Sequence, residues 1–143
     1  MAKKEKGGSG ELLIKNGSVF TASESYKADI LIRNGKIAGI AARIAPPPGA
    51  GIIDAAGLEI YPGGVDVHTH FALPFMGTVS ADDFESGTRA AACGGTTTII
   101  DFAIPAKGGS ILAALKAWHE KADGRAVIDS GFHMAMVDYN DKI

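Results

Sequence analysis

The sequence has 143 residues, 46% of them apolar and 21% charged, with 14 basic against 16 acidic side chains and a formal charge of -2. That supports one core of ordinary domain size and gives no electrostatic case for nucleic acid as a partner. No run approaches about 18 consecutive apolar residues and no basic amphipathic segment is present, so no membrane partner is expected.

Residues 1–10 read MAKKEKGGSG, with Lys3, Lys4 and Lys6 against Glu5, a local +2 that leaves -4 for the rest. No apolar stretch follows, as a signal peptide would need. The segment is expected to be a flexible tail or tag, and the protein cytoplasmic.

Residues 11–61 read as small antiparallel β-structure. Leu12-Leu13-Ile14 and Val19-Phe20 flank Asn16-Gly17, and Ile30-Leu31-Ile32 and Ile37 flank Asn34-Gly35. Asn-Gly between apolar runs predicts a hairpin turn, because both residues tolerate positive φ. Pro46-Pro47-Pro48-Gly49 predicts a stiff exposed connection. Ile52-Ile53 and Leu58 to Tyr61 predict two more short strands around Ala56-Gly57. The whole predicts a β-meander too small to stand alone.

From Pro62 the pattern changes to strands alternating with helices. Val65 to His70 alternates with period two, Thr96 to Phe102 is β-branched and apolar, and Val127 to Val137 holds a third strand. Ser80 with Asp83 predicts the capping box of a helix closed by Gly94. Ser110 opens a second helix, with Leu112, Leu115, Trp118 and Ala122 on its apolar face and Gly124 at its end. Such a pattern predicts a parallel sheet, either the start of a (β/α)8 barrel or of an open doubly wound sheet.

The chemistry-bearing residues gather at strand ends. Residues two apart share a face of a strand, so Asp66, His68 and His70 are expected on one side. Two adjacent imidazoles suit zinc and similar ions. A polar pair bonded within the protein is the other reading of such a motif. A catalytic zinc commonly has three protein ligands, so as a metal site this pair would be only half built. Asp101 ends the second strand and fits a site residue or a turn. His133 reads as a hydrogen-bonded core histidine, His119 as surface, and Cys93, the single cysteine, as a small packing residue. One cysteine excludes an internal disulfide and any paired-cysteine zinc module. No phosphate loop, dinucleotide fingerprint or GxSxG elbow occurs.

PGGVDVHTH (62–70), ALPFMGTVSADDFESGTRAA (72–91), GGTTTIIDFAIPAKGGS (94–110) and AWHEKAD (117–123) together resemble the dihydropyrimidinase or D-hydantoinase family of metal-dependent cyclic amidohydrolases. The resemblance runs from about Leu12 to Ile143. Dihydroorotases typically carry an arginine after the second histidine, and allantoinases an Asn-Glu-Pro run. Phe71-Ala72-Leu73-Pro74 stands here instead.

The resemblance implies an α/β chain with a partial β-sandwich over 11–61. The first β/α units of an incomplete TIM (β/α)8 barrel would occupy 62–143. It implies hydrolysis of the cyclic amide of dihydropyrimidines or hydantoins to N-carbamoyl amino acids, with two divalent ions, usually zinc. His68 and His70 would bind one ion, and Leu73 and Phe75 would contact the substrate's exocyclic group. The carboxylated lysine bridging the ions, further histidines and an aspartate base would lie beyond Ile143, so no catalytic base is expected within this chain. The small cyclic ureide or imide is the expected partner, and the full-length enzyme is expected to be a homotetramer. The alternative is a truncated non-catalytic fragment, or an interaction protein like the collapsin response mediators. Those relatives typically lose the second histidine, which this chain keeps as His70.

Overall fold

The computed structural model describes residues 10–137. Residues 1–9 of the expected tail lie outside them. The chain divides into two compact units, one ending at Pro62 and the next starting at Gly63. No helix among the described residues is long and apolar enough to cross a membrane.

In the first unit, β1 (Glu11–Phe20), β2 (Ser25–Arg33), β3 (Lys36–Ala41), β4 (Gly51–Asp54) and β5 (Glu59–Ile60) form one five-stranded sheet. Its order is β3-β2-β1-β4, with β5 also on β1. β1, β2 and β3 pair antiparallel, whereas β4 and β5 run parallel to β1. The sheet is therefore mixed and not the antiparallel meander that the sequence suggested. The connection from Ala41 to Gly51 carries the chain back to the start of β1, beyond the reach of a tight hairpin. Val19, Ala28 and Ile30 form the core, with Ile14, Tyr26, Ile32 and Ile60 packed on it.

The two Asn-Gly pairs behave differently. Asn34 and Gly35 have φ of 51° and 72° and make the expected turn between β2 and β3. Asn16, with φ of 65°, sits inside a continuous β1. Ile14 pairs with Ile30 and Gly17 with Ala28, so Lys15 and Asn16 stand opposite Asp29 alone. That is a β-bulge, not a turn. Asp29 explains it. Its side chain is buried, and Oδ1 accepts the Asn16 N–H at 2.9 Å while Oδ2 accepts the Ile44 N–H at 2.9 Å. Lys15 Nζ lies 3.8 Å from Oδ2.

Burial pushes the Asp29 carboxyl up, but the two N–H donors, Lys15 and Arg43 together hold it below its ordinary 3.8. A carboxyl held low adds stability that is present above the ordinary carboxylate range and is lost as the pH falls through the lower folded value. Urea unfolding should therefore show stability falling below about pH 4. In Asp29→Asn that acid limb should shrink and the neutral-pH midpoint should drop, because one of the two accepting oxygens becomes an NH2 donor facing a backbone N–H. An unchanged midpoint and an unchanged acid limb would contradict the role given to Asp29.

The second unit holds β6 (Gly64–Thr69), β7 (Pro74–Phe75), β8 (Thr78–Val79), α1 (Phe84–Cys93), β9 (Thr96–Ala103), α2 (Ile111–Ala122) and β10 (Asp129–Met134). β10, β9 and β6 form a parallel sheet in that order. β7 and β8 form a hairpin through Met76 and Gly77, both at positive φ. Asp83, not Ser80, caps α1: its carboxylate accepts the Ser86 N–H at 2.8 Å, and Ser86 Oγ accepts the Asp83 N–H at 3.1 Å. Ser80 instead accepts the Leu73 N–H at 2.8 Å. Gly94 is the C-cap of α1 and keeps a helical φ of -84°, and the left-handed residue is Gly95. Ser110 caps α2 as expected, and Gly124 leaves it with φ of 73°. The buried stripe of α2 is Ala114, Trp118 and Ala122, at helical spacing. Leu112 falls off that stripe and is 72% exposed, against expectation.

Alternate residues of β9, Ile99, Asp101 and Ala103, are buried with Phe84, Trp118 and Ala122. Both helices thus cover one face of the parallel sheet. The other face carries the imidazoles.

Candidate metal centre

His68 lies near the end of β6, and His70 just past it. Both side chains are exposed. Their Nε2 atoms stand 3.2 Å apart. Phe102 of β9 supports both rings, with centroids 4.6 Å from His68 and 5.3 Å from His70. The strand ladder alone does not set this geometry. Asp66 pairs with Ile99 and Thr69 with Asp101, so one extra residue enters β6 between them. The alternation breaks there, and Asp66 takes the register of buried Ile99. Its Oδ1 accepts the His68 N–H at 3.0 Å. Asp66 therefore does not join the imidazoles on one side, as strict period two implied.

Two nitrogen lone pairs cannot face each other at 3.2 Å with nothing between them. A proton or a cation must stand there. Two imidazole nitrogens bound to one ion at about 2.05 Å and a tetrahedral angle are about 3.3 Å apart. The donor pair fits one zinc-like ion. No third histidine, cysteine, aspartate or glutamate joins it among the described residues.

The other candidates separate from this pair. His133 of β10 is exposed, not core, and its Nε2 contacts the Val67 carbonyl oxygen at 3.1 Å. It also packs on Phe102, centroids 4.9 Å apart. His119 is exposed as expected, 3.2 Å from Asp123. Cys93 is exposed at the end of α1 and is not a packing residue. Leu73 and Phe75 both line a hollow of about 420 Å³, with Pro74, Ile104, Pro105, Ala106, Trp118 and Lys121. Neither His68 nor His70 lines it. Leu73 is half-buried on the core, while Phe75 is 61% exposed. Lys121 Nζ donates to the Ala72 carbonyl at 3.0 Å and sits 4.0 Å from the Trp118 ring centre. Burial pulls its ammonium below the ordinary 10.5, and Asp101 works against that shift.

Asp101 is the residue whose place the sequence left open. It is fully buried on the helix face. Oδ2 accepts the Thr69 hydroxyl at 2.9 Å and the Phe71 N–H at 2.8 Å, and Oδ1 accepts the Trp118 indole N–H at 2.9 Å. A signal was present in the sequence. An acid set in the apolar run TTTIIDF must find donors or stay unsatisfied.

A strand-end HxH on the uncovered face of a parallel sheet, with helices on the other, agrees with the amidohydrolase resemblance of the sequence. The amidohydrolase family model matches residues 60–142, and the chain belongs to that family. Within it, the chain is similar to the D-hydantoinase of Geobacillus stearothermophilus, 53% identical over 131 residues that make up 92% of this chain and 28% of that protein. The D-hydantoinase of Streptomyces coelicolor is 51% identical over 138 residues, 94% of this chain and 30% of its own length. The crystal structure of dihydropyrimidinase from Brevibacillus agri superposes with a TM-score of 0.88 at 48% identity, over 92% of this chain and 28% of that one. The chain thus spans under a third of the length of these relatives.

Proposed function

We propose that this chain is a segment of a metal-dependent cyclic amidohydrolase that opens hydantoin or dihydropyrimidine rings to N-carbamoyl amino acids. The observation that carries this is the pair of Nε2 atoms 3.2 Å apart within a chain about half identical to D-hydantoinases. Residues 62–143 are the first β/α units of a TIM (β/α)8 barrel, and 11–61 belong to a β-sandwich. His68 and His70 are ligands to one of two divalent ions, zinc by preference. An ion held there lowers the pKa of bound water and polarises a carbonyl oxygen.

The chain's own residues hold and shape that site. Phe102 supports both imidazoles. The β7–β8 hairpin presents Phe75, with Met76 89% exposed at its tip, as an apolar surface for the exocyclic substituent of a cyclic ureide. Leu73 forms the inner wall of that surface. The carboxylated lysine and the general base come from chain beyond Ile143. The complete protein is cytoplasmic and a homotetramer.

Ring opening by the complete gene product tests the proposal. Hydantoin or dihydrouracil should be consumed, with activity lost on chelation and regained with zinc. Activity that survives metal removal, or no activity on either ring, would overturn it. The 143-residue chain alone should turn over neither substrate, because on this reading the bridging lysine and the base lie outside it. Chelator-sensitive turnover by the pure short chain would show that the site is complete without later residues.

A further inference from the structure

Beyond the two ligands, the structure assigns a positioning residue: we propose that Asp101 sets the placement of His70 by holding the residues on either side of it. The proposal rests on the metal-site reading above. His70 follows the last ladder pair of β6, Thr69 with Asp101, so no strand pairing fixes its backbone. Thr69 and Phe71 bracket it, and both donate to the same oxygen, Asp101 Oδ2, at 2.9 and 2.8 Å. The carboxylate is fully buried, and its other oxygen, Oδ1, accepts the indole N–H of Trp118 of α2 on the far side from His70. All three partners are donors, which suits an acceptor-only carboxylate. Immediately afterwards the chain turns through Ala72 at a φ of 47°, a conformation that a non-glycine residue holds only when its neighbours are fixed. The clamp lies on the helix face and the imidazoles on the other, so Asp101 touches neither the ion nor the substrate. It acts on a ligand through the backbone, as residues behind a metal's ligands commonly do.

The test separates clamp from packing within one carboxylate. Thr69→Val removes one donor to Oδ2, beside His70. Trp118→Phe removes the donor to Oδ1, on the far side. In the complete gene product, zinc affinity is measured by chelator competition, the cobalt-substituted site by its visible absorption, and stability by Tm. Thr69→Val should weaken zinc by about tenfold and change the cobalt spectrum. Trp118→Phe should lower Tm by at least as much yet keep zinc affinity within about threefold. Thr69→Ser, which keeps the hydroxyl, should restore tight binding. Wild-type zinc affinity in Thr69→Val, or losses in both variants that simply follow Tm, would overturn the proposal. His68→Ala distinguishes the two levels. If it loses zinc while Thr69→Val keeps it, the clamp fails and the ligand assignment stands. If His68→Ala keeps its zinc, the metal site is wrong and the clamp falls with it.

Discussion

His68→Ala in the complete protein is expected to abolish ring opening and to strip zinc from the site. On the proposed reading the imidazoles are donors to one ion, and their Nε2 atoms stand 3.2 Å apart, the spacing of two ligands in one coordination sphere. Loss of either leaves a single exposed imidazole, and His70→Ala should behave in the same way. The expected loss is at least about a hundredfold in kcat/KM, with zinc content falling in parallel. Two measurements check it, metal content by mass spectrometry and the steady-state rate with zinc added back. His119→Ala is the control. His119 is exposed on α2 and bonded to Asp123, so activity should stay within about twofold of wild type. Full activity and full zinc in His68→Ala would show the pair to be a polar contact and nothing more.

Phe84→Ala is expected to be the most destabilising single change in the second unit. The ring is 1% exposed and meets Phe71 and Phe132 edge-on, with centroids 5.6 and 6.1 Å away. Truncating such a phenylalanine costs about 3–5 kcal/mol, the transfer term plus the cavity left behind. With a urea slope of about 1–3 kcal/mol/M, the unfolding midpoint should fall by at least about 1 M. Function should suffer too. Phe71 follows His70 directly and is wedged between Phe84 and Gly87, where any Cβ would collide with its ring. Removing Phe84 frees Phe71, and zinc retention should drop with stability. A midpoint shift worth less than about 1 kcal/mol would mean that the core closes over the gap.

Much of this was legible in the sequence where local chemistry decides. Ser110 and Gly124 bound α2 because a hydroxyl cap and a left-handed glycine are local devices. Asn34-Gly35 turns because nothing distant competes. Asn16-Gly17 has the same two residues and does not turn, because Asp29, thirteen positions on, satisfies the extra N–H of a bulge. The cap of α1 shifted from Ser80 to Asp83 for a similar reason, since Ser80 is taken by Leu73. The HxH pair was visible from spacing alone. What spacing could not show was the inserted residue in β6, which takes Asp66 away from the pair, or the carboxylate of Asp101 behind it. Both depend on β9, about thirty residues further along.

The most direct measurement is a crystal structure of the complete protein grown with zinc, with anomalous data at the zinc edge. A peak is expected about 2.1 Å from both His68 Nε2 and His70 Nε2, with further ligands drawn from later in the chain. A zinc peak elsewhere, with the two imidazoles still bonded to each other, would contradict it.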